Sequence, residues 1–235
     1  MPQLHVVMIG ATGLVGTLLA QTLCHRPEVA QVTALARRPL RFSHDKLDTR
    51  IIDFADLHEE AKAVGADVAI STLGTTQKQA GSREAFRRVD RDLVVSFADG
   101  AHRGGADHLM MVSAVGADAR SPSFYMKTKG EADHAVKALG YERIDIFRPG
   151  LLLGDRDENR TSEEIGKALL PLMNPFMAGP LSRYKAIGAD EVAHAMTAAA
   201  VLNEPGIFNH QYAEMADLIS NDRVVQPAEE KAAAE

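Results

Sequence analysis

The chain has 235 residues, enough for one sizeable α/β core. With 46% hydrophobic and 25% charged residues it has the balance of an ordinary folded globular chain, neither fibrous nor disordered. A net charge of −6 argues against nucleic acid as the main partner, and the single cysteine, Cys24, excludes an internal disulfide. Residues 4–9 read as a first strand, running straight into a glycine loop. A helix follows over 15–25, then strands over 32–36 and 50–53 and a helix over 56–64. A fourth strand covers 67–72. Ser82 can cap a long helix reaching about Gly104, helped by Arg83 and Glu84 in its first turn. A fifth strand is expected at 108–113, a helix at 123–139 stopped by Gly140, and a sixth strand at 143–147.

Beyond Gly150 the rhythm changes. Residues 155–161 are charged and loop-like, and 163–173 look helical, with Pro171 ending or kinking that stretch. Further helices are expected over 190–202 and 210–220, and the tail from Asn221 is expected to fray. Alternating strands and helices, with strands that are near-continuous apolar runs, predict a parallel sheet covered on both faces. The expected fold is a doubly wound Rossmann sheet of order 3-2-1-4-5-6. Residues 1–220 form a single domain, with 154–220 as a small helical lid on the substrate side and 221–235 as a flexible tail. Met1 to His5 lack the basic region of a signal peptide, and no apolar run reaches membrane length, so the cytoplasm is the expected compartment and no membrane is expected as a partner.

The loop reads Gly10-Ala11-Thr12-Gly13-Leu14-Val15-Gly16. Glycines there allow a tight turn, close backbone approach to a diphosphate and close helix–strand packing, while the helix start offers unpaired N–H groups and a positive dipole end. The second strand ends in Ala36-Arg37-Arg38-Pro39, where NAD-binding folds usually carry an acid for the ribose 2′-hydroxyl. A carboxylate repels a 2′-phosphate and a guanidinium pairs with it, so Arg37 and Arg38 favour NADP(H) over NAD(H). Asp53 is a candidate for the adenine amino group, with Phe54 alongside. Thr72, Leu73 and Gly74 are candidates to let the ribose and diphosphate pass close to the backbone.

Tyr125 and Lys129 form Y-x-x-x-K on an expected helix, where i and i+4 share a face. A tyrosine of ordinary pKa about 10 is a poor base at neutral pH, and a nearby ammonium favours its phenolate. Lys129 can also hold the nicotinamide ribose. Ser113, ending the fifth strand, is a candidate to hydrogen-bond a substrate carbonyl. Arg148 and Pro149 follow the sixth strand, on the nicotinamide side of the crevice; Arg148 reads equally well as a structural ion-pair partner. The nine histidines show no metal-ligand spacing, and no metal is expected; His102 and His108 read as structural or solvated.

Residues 9–16, 73–81, 89–92, 113–118, 125–131 and 147–156 together resemble the atypical short-chain dehydrogenase/reductases, in particular the Tat-interactive-protein oxidoreductase-like branch. The resemblance implies a Rossmann fold, NADP(H) and a Ser–Tyr–Lys site at Ser113, Tyr125 and Lys129. It shows no equivalent of the asparagine that assists proton relay in ordinary members; Asp90 lies nearest that helix. The function expected is an NADP(H)-dependent oxidoreductase acting on a small carbonyl or alcohol. The alternatives are an NADP(H)-binding regulatory sensor and, from the shared triad, a sugar-nucleotide epimerase or dehydratase. A homodimer or a monomer is expected, by analogy with such folds.

Overall fold

In a computed structural model, which describes residues 3–154 and 183–222, a seven-stranded parallel sheet has the order β3-β2-β1-β4-β5-β6-β9. Its strands are β1 Leu4–Ile9, β2 Val29–Ala36, β3 Leu47–Ile51, β4 Val68–Ser71, β5 His108–Val112, β6 Arg143–Phe147 and β9 Gly206–His210. A separate two-stranded ribbon pairs β7 Leu152–Leu153 with β8 Ile187–Gly188. The helices are α1 Leu14–His25, α2 Leu57–Val64, α3 Gln77–Ala80, α4 Arg83–Arg87, α5 Leu93–Arg103, α6 Phe124–Lys137, α7 Ala189–Ala199 and α8 Tyr212–Asn221.

Side chains of a strand alternate between faces, and β1 supplies apolar residues to both. Val6 and Met8 enter one core layer with Leu19 and Leu23 of α1 and the alanines of α7. Val7 and Ile9 enter the other, with Leu57 of α2, Phe97 of α5 and Val136 of α6. Residues 6–9 are completely buried, which is why the strand reads as an unbroken apolar run. On the first face, Ala193, Met196 and Ala199 of α7 join Leu19, Ala20 and Leu23 of α1 in one cluster. The threonine hydroxyls of Thr22 and Thr197 bond across the two helices at 2.6 Å.

The expected strand order holds for β1 to β6, and β9 extends it: β9 lies parallel to β6, with Arg143 opposite Gly206 and Phe147 opposite His210. Part of the region expected as a helical lid is therefore sheet, and α7 belongs to the main core. The helix expected from residue 210 begins instead at Tyr212, because His210 closes the strand. Gly206 to His210 is a five-residue edge strand whose Ile207 is half exposed, so its apolar signal is weak. The third strand, expected at 50–53, lies at Leu47–Ile51 for the same reason: β3 is the opposite edge and carries polar residues at its centre.

The long helix started by Ser82, whose hydroxyl accepts from the Ala85 N–H at 3.0 Å, contains a π-turn over Arg88–Asp92 that separates α4 from α5. The short α3 was not expected. The loop expected over 155–161 and the helix over 163–173 lie outside the described residues, as does most of the tail from 221.

Candidate dinucleotide site

Between β2 and β4 the sheet's winding reverses around β1, and the loops after β1 and β4 open a crevice at the strands' carboxyl ends. The glycine loop forms its floor. Gly10 has φ +83°, and a Cβ there would stand 2.5 Å from the Thr72 carbonyl carbon, so only glycine fits. A Cβ on Gly16 would fall against the Gly10 carbonyl oxygen and the Thr72 hydroxyl, which is how α1 sits so close to β1 and β4. Gly13 caps α1 in extended conformation, and no side chain caps the helix. With no side-chain cap among the described residues, the start of α1 keeps the unpaired first-turn N–H groups and positive dipole end that suit an anion.

The cleft above this loop, about 290 Å³, is lined by Gly10, Ala11, Thr12, Leu35, Ala36, Arg37, Arg38, Phe54 and Leu73. Among these described residues there are two guanidinium groups and no carboxylate. Arg37 stacks over the Phe54 ring at 5.5 Å. Of the other residues singled out in sequence, Asp53 is exposed, does not line the cleft, and accepts from the Ala55 N–H at 2.9 Å. Val15 is buried in the core, which leaves its backbone, not its side chain, to any ligand. Leu14 is half buried, against Gly154. Thr72 spends its hydroxyl on the Ile9 carbonyl at 3.1 Å, fastening the β4 loop to β1.

On the far side of the crevice Ser113 donates its N–H to the Phe147 carbonyl at 2.7 Å, and its hydroxyl is buried with no partner among the described residues. A buried hydroxyl left unpaired is costly, and the Ser71 hydroxyl at the end of β4 is buried unpaired in the same way. Tyr125 and Lys129 lie one turn apart on α6. Tyr125 is half buried and packs its ring on Phe86 at 5.5 Å. Lys129 is buried, its Nζ 2.7 Å from Asp90 Oδ1. Burial pushes the Asp90 carboxyl above the usual carboxylate range, and Lys129 and the Thr75 N–H only partly offset that.

Arg148 donates to Asp133 at 2.7 Å, while its N–H bonds the His210 carbonyl. Of the two roles open to it in sequence, this geometry matches the structural ion pair. The Pro149 carbonyl accepts from the Val115 N–H at 3.0 Å, tying the end of β6 to the segment after Ser113. Sequence reasoning missed Asp90 as the partner of Lys129, although residues 89–92 are part of the resemblance, and missed Leu35 and Ala36 as cleft walls. His108, expected to be structural or solvated, is buried on β5 and bonded to Asp145, and His102 bonds the Ala106 carbonyl and packs on Tyr141. A larger groove, about 550 Å³, lies between α7, β9 and α8, away from the glycine loop and the Tyr125–Lys129 pair. Among the described residues no His, Cys, Asp and Glu side chains cluster to hold a metal ion, and no helix is long and apolar enough to cross a membrane.

A glycine-cradled crevice at the switch point of a doubly wound sheet defines a Rossmann-type dinucleotide-binding protein. Residues 10–200 match the NAD(P)H-binding family model, and the chain belongs to that family. It is 37% identical over 166 residues to the protein HTATIP2 of Rattus norvegicus, covering 69% of this chain and 68% of that protein. It is 36% identical over 157 residues to the mitochondrial protein FMP52 of Candida albicans, covering 65% and 69%. In fold it is similar to the enzyme WbmH of Bordetella bronchiseptica in complex with NAD+, with TM-score 0.66, 14% identity, and 89% and 76% of the two chains covered. It is also similar to UDP-N-acetylglucosamine 4-epimerase from Methanobrevibacter ruminantium, with TM-score 0.66, 14% identity, and 90% and 77% covered.

Proposed function

We propose that this chain is an NADP(H)-dependent oxidoreductase acting on a small carbonyl or alcohol. The observation that carries the cofactor choice is the cleft wall: Arg37 and Arg38 without a carboxylate. A ribose 2′-phosphate is favoured by such a wall, and a bare 2′-hydroxyl, which carries no charge to pair, gains far less from it. The glycine cradle and the uncapped start of α1 suit the diphosphate. A bound nicotinamide supplies or accepts the hydride.

The chain's own residues then orient and move the proton. The unpaired Ser113 hydroxyl donates to the substrate oxygen, fixing the carbonyl. Tyr125 gives its phenolic proton to that oxygen in reduction and takes it back in oxidation. Lys129, one turn away, supplies positive charge toward the phenolate and ribose hydroxyls. Steady-state turnover with NADPH against a panel of aldehydes, ketones and quinones tests this. Once a substrate is found, Tyr125→Phe should lower kcat by about 100-fold or more while leaving cofactor affinity within about twofold. A Tyr125→Phe protein with full turnover sinks the assignment.

The second reading, a cofactor-binding sensor without turnover, is favoured if NADPH binds at micromolar affinity and no member of the panel is reduced. The epimerase fold similarity carries no substrate with it at 14% identity. Cytoplasmic placement belongs to this reading; the FMP52 relatives are named mitochondrial, so fractionation of the tagged chain decides between the compartments.

A further inference from the structure

Asp90 sits in the π-turn Arg88–Asp92, a wider turn than the α-helix. Phe86, Asp90 and Val94 are buried at four-residue intervals through this segment, while Arg88 faces solvent. A charged group in that row needs a reason, since an apolar residue of like size would hold the helix as well or better. Its carboxylate makes two contacts. Oδ1 lies 2.7 Å from Lys129 Nζ, and Oδ2 accepts from the Thr75 N–H at 2.9 Å. Between them passes Gly74, where a Cβ would be 3.4 Å from Asp90 Oδ1 and 3.5 Å from Lys129 Nζ. The pair thus lies directly beneath the loop after β4, which borders the crevice.

We propose that Asp90 is a positioning residue that clamps the Lys129 ammonium to the 72–76 loop, so that the lysine head is charged and fixed before a dinucleotide arrives. This rests on the cofactor reading above. Without the carboxylate, Lys129 is a buried ammonium with no counterion among the described residues, and burial favours its neutral form. Of the other charged groups on the packed elements, Glu131 of α6 pairs with Arg87 and Arg91 and Asp133 of α6 with Arg148, while Arg88, Lys127 and His134 are exposed and Lys137 is half-buried in the last turn of α6. Tyr125 lies one turn before Lys129 on α6, and its contribution is removed by working in a Tyr125→Phe background.

The test is NADPH affinity of the full chain from pH 7.5 to 9.5. With Asp90 present the Kd should change less than about twofold. With Asp90→Asn it should weaken about tenfold toward the alkaline end, and adding Lys129→Met should abolish that slope. A merely structural Asp90 lowers the melting temperature and leaves the profile flat. A flat Asp90→Asn profile, or a slope that survives Lys129→Met, overturns the proposal. If Asp90→Asn does not fold, NMR titration of the ¹³C-dimethylated lysines, assigned with Lys129→Arg, reads the clamp in the unsubstituted chain. A Lys129 pKa at or above the ordinary lysine value of about 10.4 supports it, and one well below overturns it. A chain that binds no NADPH at any pH refutes the cofactor reading instead, while the lysine titration still decides the clamp.

Discussion

The glycines of the loop differ in what they do, although the sequence shows them as one motif. Gly10 needs a positive φ and a close approach to the Thr72–Leu73 backbone, Gly16 needs the close approach alone, and Gly13 has only the Gly10 carbonyl within 3.2 Å of a Cβ. Gly16→Ala should therefore cost about 1–3 kcal/mol in urea unfolding by overpacking α1 against the β4 loop. Gly13→Ala should cost less, and an equal loss would contradict the model of the loop. The loop was legible because its physical demand, backbone without side chains, leaves a mark in composition. Asp90 was not, because a buried carboxylate beside a lysine looks in sequence like any solvated V-D-R-D. Asp53 is a different case: a position next to a strand end does not say that one of its carboxylate oxygens accepts from the Ala55 N–H and that the side chain stands outside the cleft lining.

At the scale of elements, buried and partly buried ion pairs link neighbouring strands and helices. Asp145, at the centre of β6, accepts from His108 of β5 at 2.7 Å, from His210 of β9 at 2.5 Å, and from Arg143 at 2.6 and 2.9 Å. Arg143 also stacks on Phe208 of β9 at 4.3 Å. Burial alone would raise the Asp145 carboxyl, but the bonds from His108, His210 and Arg143 outweigh it and hold it well below the usual carboxylate range. A depressed carboxyl contributes stability that is complete above its unfolded value and is lost as pH falls below about 4. Asp145→Asn should cost about 3–5 kcal/mol by leaving Arg143 buried without its partner. It should also blunt the acid limb of stability, and an unaltered limb would contradict the account.

On the opposite side of the sheet, His58 of α2 bonds Asp99 of α5 at 2.8 Å, and Arg103 shares that carboxylate. Asp99 first, then Glu59, raises the His58 pKa. Its contribution is therefore full below about pH 6.5 and fades as pH rises through the raised value. The pair is partly exposed, so His58→Gln should remove less than about 1 kcal/mol at pH 6 and nothing measurable at pH 9. Equal losses at both pH values would rule the ion pair out. The edge strands β3 and β9 were the elements hardest to place from sequence, because an edge strand is apolar only in part.

The whole molecule is a seven-stranded sheet whose winding reverses once, and the loops at that reversal gather residues from distant parts of the chain. Strands β1, β2, β4, β5 and β6 were readable because a strand buried on both faces is a near-continuous apolar run. The role of residues 183–222 was not, since the packing of α7 on α1 and of β9 on β6 depends on partners far away in sequence. The central claim is that this crevice selects NADP(H) through Arg37 and Arg38. Titration calorimetry of NADPH and NADH against the unsubstituted chain and an Arg37→Ala, Arg38→Ala chain tests it most directly. The account predicts NADPH tighter by about tenfold or more, a preference worth about 1.4 kcal/mol or greater, with the gap closing in the double variant. NADH binding as tightly as NADPH, or an undiminished gap without the two arginines, would contradict it.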